Sequence, residues 1–556
     1  NTTLIKLRQL GEALAQHLAA LSGIGFDEQT SQSELLYRLN RELRLESQIK
    51  ELFHILRIEG NKATHQFRTQ HKEAMDGLKI ARALAIWFHR SFGKTGASFK
   101  PGPFVPPADP SAQLRQLQSD IEKLRHDLQH ASMELDSSQQ LGQLIEKEKA
   151  EYEALALAMD EESRTLAKQA SQHEQALVQQ QLAYESKIKA LQKQLTEQGE
   201  QKLNQQRQKV AKQTKAATET LVLSEELTRI LIDQQLVEAG WEADSQELTY
   251  QKGARPEKGS YRAIAEWPTN QKGEKGRADY VLFVGLTPIA VVEAKKENTN
   301  VAGKIRQAER YSKGFKIDAP LVGAWELTGR TIAWPADESG HYLVPFVYSC
   351  NGRPYVPQLA EQSGTWFRDV REPSNIRRAL PQFHTPGGLL DLLERDKENA
   401  EKLLKDEPFG YLKLRDYQQN AIIATEHALA QGVRTVLLAM ATGTGKTRTI
   451  IGLMYRFLKA ERFHRILFLV DRTALGQQAI DAFNEAPLEQ NHTLSKIYNL
   501  AELGDMAAEA ETRIQVATVQ AMVKRIFMSD NTPPIDQFDC IIIDEAHRGY
   551  TLDQEM

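Results

Sequence analysis

Residues Gly276 to Tyr311 read GRADYVLFVGLTPIAVVEAKKENTNVAGKIRQAERY. Two short runs rich in Val, Ile, Leu, Phe and Tyr, Asp279–Val284 and Ile289–Lys295, flank Gly285-Leu286-Thr287-Pro288, the pattern of a β-hairpin. A turn centred on Leu286 sets Asp279 across from Glu293, and directly opposed side chains share one face of a sheet. Lys295, two residues further on, joins that face. Two carboxylates and an ammonium on one face are what a hydrolytic Mg²⁺ site needs. The oxygens serve as hard ligands, and the cation stands near the attacking water or the phosphate. A Glu-x-Lys by itself is ordinarily a solvated strand end, so spacing and register together carry the reading.

The Asp279…Glu293-x-Lys295 arrangement resembles the PD-(D/E)xK nucleases, and Gln307-x-x-x-Tyr311 resembles the extra motif of their RecB-like branch. Ala278 stands where that family usually has proline. Positions four apart share a helix face, so Gln307 and Tyr311 both lean over the site. The resemblance implies that Asp279 and Glu293 bind Mg²⁺. It also implies that Lys295 positions or activates the nucleophilic water, while Gln307 and Tyr311 orient DNA or the lysine.

A chain of 556 residues is too long for one core and points to three or four domains. With 41% apolar and 26% charged residues and no apolar run near the length of a membrane span, a soluble, cytoplasmic protein without a signal peptide is expected. Only Cys350 and Cys540 are present, far apart, which suits a reducing compartment and excludes a cysteine-based zinc site. The net charge of −4 means that any grip on nucleic acid comes from local patches.

Outward from the hairpin, residues 1–92 carry apolar positions at helical steps and predict a helical module. Within it Leu56 to His65 resembles the N-terminal module of some restriction subunits. Gly60-Asn61 reads as a helix cap, and a competing reading pairs Arg57 with His65 as an RNA-cutting site. A proline-rich linker follows at 93–110. Residues 111–222 begin with Leu114, Leu117, Ile121, Leu124 and Leu128 at coiled-coil spacing and read as a helical hairpin arm. The nuclease domain is placed at 224–345. It opens on a helix with Ser224 as cap and Glu225 and Glu226 in its first turn, either of which would add a carboxylate to the metal or simply answer the helix dipole. Between Lys252 and Arg277, seven Lys or Arg against three Glu, with four glycines, read as a flexible basic loop for phosphate contact. Residues 346–408 read as a connector without chemistry of its own.

From 409 to 556, apolar strands alternate with amphipathic helices, the signature of a parallel α/β sheet. An expected strand, Thr435–Ala439, runs into Met440-Ala-Thr-Gly-Thr-Gly-Lys-Thr447, a P-loop in which Thr442, Gly443, Thr444 and Gly445 cradle phosphates. There Lys446 neutralises charge and Thr447 reaches Mg²⁺. Downstream, strand Asp539–Ile543 ends in Asp544-Glu545-Ala546-His547. This pair of motifs resembles the DEAH-type superfamily 2 motors. By that resemblance Asp544 holds Mg²⁺ and Glu545 activates the water that attacks ATP. Leu414–Gln418 resembles their adenine-reading segment, with Gln418 on the base, and Phe468–Thr473 and Val516–Gln520 resemble their DNA-tracking segments.

The fold class read from the sequence is therefore α/β multidomain: helical module, coiled arm, PD-(D/E)xK domain and a first RecA-like lobe. This order resembles the R (motor and endonuclease) subunits of type I restriction enzymes. The resemblance implies ATP and Mg²⁺ as cofactors, double-stranded DNA as substrate, and modification (methyltransferase) and specificity subunits as partners. Because the sequence ends nine residues past His547, it reads as an N-terminal fragment that binds nucleotide but hydrolyses it poorly without a second lobe. Alternative readings are a stand-alone helicase-nuclease of defence or repair, and a DNA-binding scaffold with a degenerate nuclease.

Overall fold

The computed structural model describes residues 2–107 and 200–546, apart from 28, 66–70, 95, 222, 272–273, 297–298, 337–339, 502–511 and 529–531, and isolated positions between 108 and 199. The chain divides into two compact units. One comprises Asn1–Ala15, Asp27–Ala97 and Ala211–Met556, the other Gln16–Phe26 and Ser98–Val210. In the second unit, Gln206 donates to the Leu21 carbonyl at 3.1 Å. The expected coiled arm lies outside the described residues except for isolated positions and the helix Glu200–Glu219.

Helices α1 (Thr2–Ser22), α2 (Gln32–Leu43), α3 (Ser47–His65) and α4 (His71–Phe92) form the N-terminal module. Its periodic residues Leu4, Leu52, Ile55, Leu56, Leu84 and Trp87 are buried, as the spacing predicts. The expected cap at Gly60-Asn61 is not one, because α3 continues through both to His65. A Cβ at Gly60 would stand 2.3 Å from Cβ of Arg8, so glycine serves the close approach of α1 rather than a chain reversal. Arg57 is buried beside His54, 3.3 Å away, while the side chain of His65 lies outside the described residues.

Past α5 (Glu200–Glu219), α6 (Glu225–Glu238) starts as expected, with Ser224 Oγ accepting from the Leu227 N–H at 3.1 Å. The strands that follow are β1 (Glu242–Ala243), β2 (Tyr261–Gln271), β3 (Glu274–Val284) and β4 (Thr287–Ala294). After α7 (Val301–Lys313) and a small ribbon of β5 (Trp334–Pro335) and β6 (His341–Tyr342) come β7 (Phe346–Cys350), β8 (Thr365–Asp369) and β9 (Arg378–Leu380). Seven strands make one mixed sheet in the order β1-β2-β3-β4-β7-β8-β9, with β4 and β7 parallel at its centre. One face packs on α6 and on α8 (Pro386–Glu394) through Ile232, Leu236, Leu389 and Leu393. The other packs on α7 through Ile305, Ala308 and Tyr311.

Three expectations for this region are corrected. Much of the expected flexible basic loop is strand, β2 and the start of β3, paired antiparallel from Tyr261↔Val284 to Gln271↔Glu274. Ala263 and Ala265 in the core of β2 are too small to make an apolar run of the sequence around Ile264 and Trp267. The connector contains β7, β8 and β9, which complete the same sheet. Finally, β4 begins at Thr287, so the turn is the two residues Gly285-Leu286, with Gly285 at φ +57° as tight hairpin turns require. That turn alone pairs Phe283 with Pro288 and would put Asp279 across from Val292. The register shifts between Leu282 and Phe283, leaving Ile289 as the extra residue of a β-bulge. From there Leu282 faces Ala290 and Tyr280 faces Val292, so Asp279 comes opposite Glu293 after all.

The last segment joins through α9 (Lys397–Asp406) to α10 (Asp416–Ala430), α11 (Lys446–Lys459), β10 (Ile466–Val470), α12 (Thr473–Glu485), β11 (Leu500–Ala501), β12 (Ile514–Thr518), α13 (Val519–Met528) and β13 (Cys540–Ile543). Its sheet is parallel throughout, in the order β11-β12-β10-β13. The expected strand Thr435–Ala439 is not formed. Leu437 is 82% exposed, and on β13 Ile541 is 58% exposed. A run of apolar residues becomes a strand only where another strand accepts its hydrogen bonds, and no local pattern guarantees that partner. His547 lies outside the described residues. No described helix is long and apolar enough to cross a membrane.

Candidate active site

Between the carboxyl end of β4, the first turns of α6 and the α7 residues Lys304, Gln307 and Tyr311 lies a cleft of about 440 Å³. Asp279, Glu293, Lys295, Gln307 and Tyr311 all line it, so the sequence-predicted set converges. The sheet fixes the acids. Asp279 Oδ2 accepts from the Ala294 N–H across the hairpin at 2.8 Å. Glu293 is 1% exposed in the centre of the sheet. Lys295 follows the last residue of β4, its N–H still donating to the Cys350 carbonyl at 2.8 Å, and its ammonium pairs with Glu293 Oε1. On α7, Gln307 donates to the Tyr311 hydroxyl at 2.7 Å, so these two act as one hydrogen-bonded unit. Gly276 makes room for that ring, since a Cβ there would stand 3.0 Å from it.

The electrostatics of the cleft are unsettled in a specific way. Burial and the neighbouring Asp279 push the Glu293 carboxyl up to about 7, with Lys295 pulling the other way. Asp279 is raised by burial, against its hydrogen bond from Ala294 and the charges of Arg229 and Lys295. Glu293 Oε2 is buried and finds no hydrogen-bond partner among the described residues. A buried carboxylate oxygen left open beside a second carboxylate suits a divalent cation bound by hard oxygen ligands. The donor set on the protein is sparse, because no cluster of three or more His, Cys, Asp or Glu suited to a metal occurs among the described residues. An ion here would keep much of its hydration, as Mg²⁺ does.

Sequence reasoning missed Arg229. It lies on α6 one turn after Glu225, with Nη2 3.4 Å from Asp279 Oδ1. The signal was its position four residues after Glu225, on the same face of the helix, which a helix start read only for its cap conceals. Of the first-turn acids, Glu225 lines the cleft and pairs with Lys296 at 2.9 Å, whereas Glu226 points away to Lys79 at 2.7 Å.

At the second candidate site the P-loop turns into α11 at Lys446, with Gly443 and Gly445 at φ +78° and +77°. Lys446 pairs with Glu545 at 2.8 Å, and Asp544 Oδ1 accepts from the Glu545 N–H. Glu545 itself has φ +51°, an uncommon conformation for a residue with a side chain. Thr442, Gly443 and Thr447 are exposed around the loop. Gln418, expected to face a base, donates to the Thr444 carbonyl at 2.9 Å and accepts from the Arg415 N–H, so its amide holds the loop backbone. Tyr417 donates to the same carbonyl at 2.9 Å.

Residues 242–393 match the family described as the second domain of the type I restriction enzyme EcoKI endonuclease subunit, and 411–554 match the type III restriction enzyme res subunit family. The chain is 40% identical to the type I restriction enzyme EcoKI endonuclease subunit of Escherichia coli (strain K12) over 100% of its own length and 47% of that protein. It is 35% identical to the type I restriction enzyme EcoAI endonuclease subunit of Escherichia coli over 49% of this chain and 30% of that one. A putative ATP-dependent helicase, IRC3 of Saccharomyces cerevisiae, is 32% identical over 24% of this chain and 19% of its own. The chain thus spans less than half the length of these curated relatives.

Proposed function

This chain is a homologue of type I restriction endonuclease R subunits with a helicase-like domain at its carboxyl end, and from that premise we infer that it cuts duplex DNA in a reaction coupled to ATP-driven translocation. In this reading Asp279 and Glu293 hold Mg²⁺, which would neutralise charge at the scissile phosphate and make water more acidic. Lys295 orients the attacking water and is itself fixed by Glu293. Gln307 and Tyr311 hold the DNA backbone or the lysine. Arg229, a fixed cation beside Asp279, contacts a phosphate oxygen when DNA enters.

At the motor, the backbone from Thr442 to Gly445 and Lys446 hold nucleotide phosphates, Thr447 and Asp544 serve the nucleotide's Mg²⁺, and Glu545 activates water. Gln418 braces the loop rather than reading the base. Lys446 must leave Glu545 to take a phosphate, so nucleotide entry frees the residue assigned to the water. Base recognition belongs to partner subunits, modification and specificity, in the cytoplasm, because the basic residues near the cleft suit phosphate contact alone.

The observation that carries the nuclease reading is the open Glu293 Oε2 beside Asp279 and Lys295. Asp279→Ala in the full-length protein, assembled with modification and specificity subunits, tests it. Loss of cleavage with ATP hydrolysis retained supports the assignment, and cleavage at the wild-type rate removes it.

A further inference from the structure

The β4 and β7 strands run parallel in a register that sets Glu293 beside Ser349. Ser349 is fully buried, and its Oγ finds no hydrogen-bond partner among the described residues. Two residues earlier on β7, Val347 packs in the core beneath α7, so Ser349 belongs to the sheet face that carries the acids. A buried hydroxyl and a buried carboxylate oxygen, each open and lying on neighbouring strands, form a recurrent cost to the fold unless a ligand resolves both. An ionised Asp279 offers an ionised Glu293 only acceptors, and the proton that the two carboxyls share when Glu293 is neutral still leaves Ser349 Oγ open.

Resting on the cation reading above, we propose that Ser349 is a positioning residue of that site: its hydroxyl donates to Glu293 Oε2 when a divalent cation takes the other lone pair of the same oxygen. Carboxylates that ligate metals are themselves held by hydrogen bonds, and that second layer commonly sets affinity. Rotation about χ1 moves Oγ among staggered positions without disturbing the backbone, so the bond needs no rearrangement of the sheet. The adjacent Cys350, whose thiol is pushed up by burial, faces the opposite core with Tyr348 and Phe346 and offers no substitute donor.

Mn²⁺ titration calorimetry and thermal melting of the whole protein, with Ser349→Ala and Asp279→Asn alongside wild type, test this. Ser349→Ala should weaken Mn²⁺ binding about tenfold while leaving the metal-free melting temperature unchanged or raised, because an open hydroxyl has been removed. A lowered metal-free melting temperature with unchanged Mn²⁺ affinity would assign Ser349 a purely structural role and overturn the proposal. Wild-type Mn²⁺ affinity in Ser349→Ala, with binding lost in Asp279→Asn, also overturns it and leaves the cation reading standing. If neither substitution alters Mn²⁺ binding, the cation reading itself falls and takes the proposal with it.

Discussion

The two candidate sites are built on opposite plans. The cleft at β4 sits on a seven-stranded sheet with helices on both faces, and its backbone geometry is complete, yet its charges are left in conflict. At the P-loop the charges are already matched, Lys446 against Glu545, while the backbone is incomplete, with Thr435–Ala439 outside the sheet and β13 at its edge. A site of the first kind is preorganised and responds to a ligand that cancels charge. A site of the second kind responds to a ligand that exchanges one ion pair for another.

The contrast is most open to attack at its extremes. Lys295→Ala should lower cleavage by the assembled enzyme by at least about 10³-fold without changing nucleotide affinity, as followed by plasmid cutting and by titration with a fluorescent ATP analogue. Normal cutting would remove Lys295 from the chemistry. Next in size, Lys446→Ala should weaken ATP binding by about 10²-fold yet leave Mn²⁺ binding at the β4 cleft intact, so the two sites separate by calorimetry. Loss of both would mean that one fold supports the two together.

Glu293→Gln sharpens the electrostatic half of the comparison. The folded carboxyl is raised to about 7, above its ordinary value of 4.5, so the fold is burdened progressively as pH rises between those values and fully above 7. In chelator, the variant should therefore gain roughly 1–3 kcal/mol of stability at pH 8, with the gain vanishing near pH 4. Equal melting temperatures at pH 8 would show that Lys295 already compensates the charge. The smallest effect is expected at the other site: Glu545→Gln releases Lys446 from a partly exposed pair, and ATP should bind about two- to fivefold tighter. Weaker binding would mean that Glu545 positions the lysine rather than restraining it.

Both sites were legible in the sequence because each places polar residues at the ends of apolar runs: Glu293 and Lys295 after Ile289–Val292, and Asp544 and Glu545 after Cys540–Ile543. What the sequence hid has physical causes. β2 was obscured by Ala263 and Ala265, small residues that fill a tight core without a hydrophobic signal. β7 to β9 were missed because strand pairing is non-local, and nothing near Phe346 says that β4 is its neighbour. Thr435–Ala439 failed in the reverse sense, apolar by pattern but without a ladder to join. The prediction that Asp279 opposes Glu293 reached the right register by supposing a turn centred on Leu286, when the chain uses a tighter turn and an extra residue.

That extra residue, Ile289, acts as a spacer of odd length. Because a strand alternates its two sides with every residue, removing one amino acid from the far arm of this hairpin would send Glu293 toward the opposite core and leave Asp279 facing valine. Substitutions along Thr287–Val291 alter packing by degrees, whereas deletions act all or none. Variation among natural homologues of this chain should therefore change the letters of the segment while keeping their number.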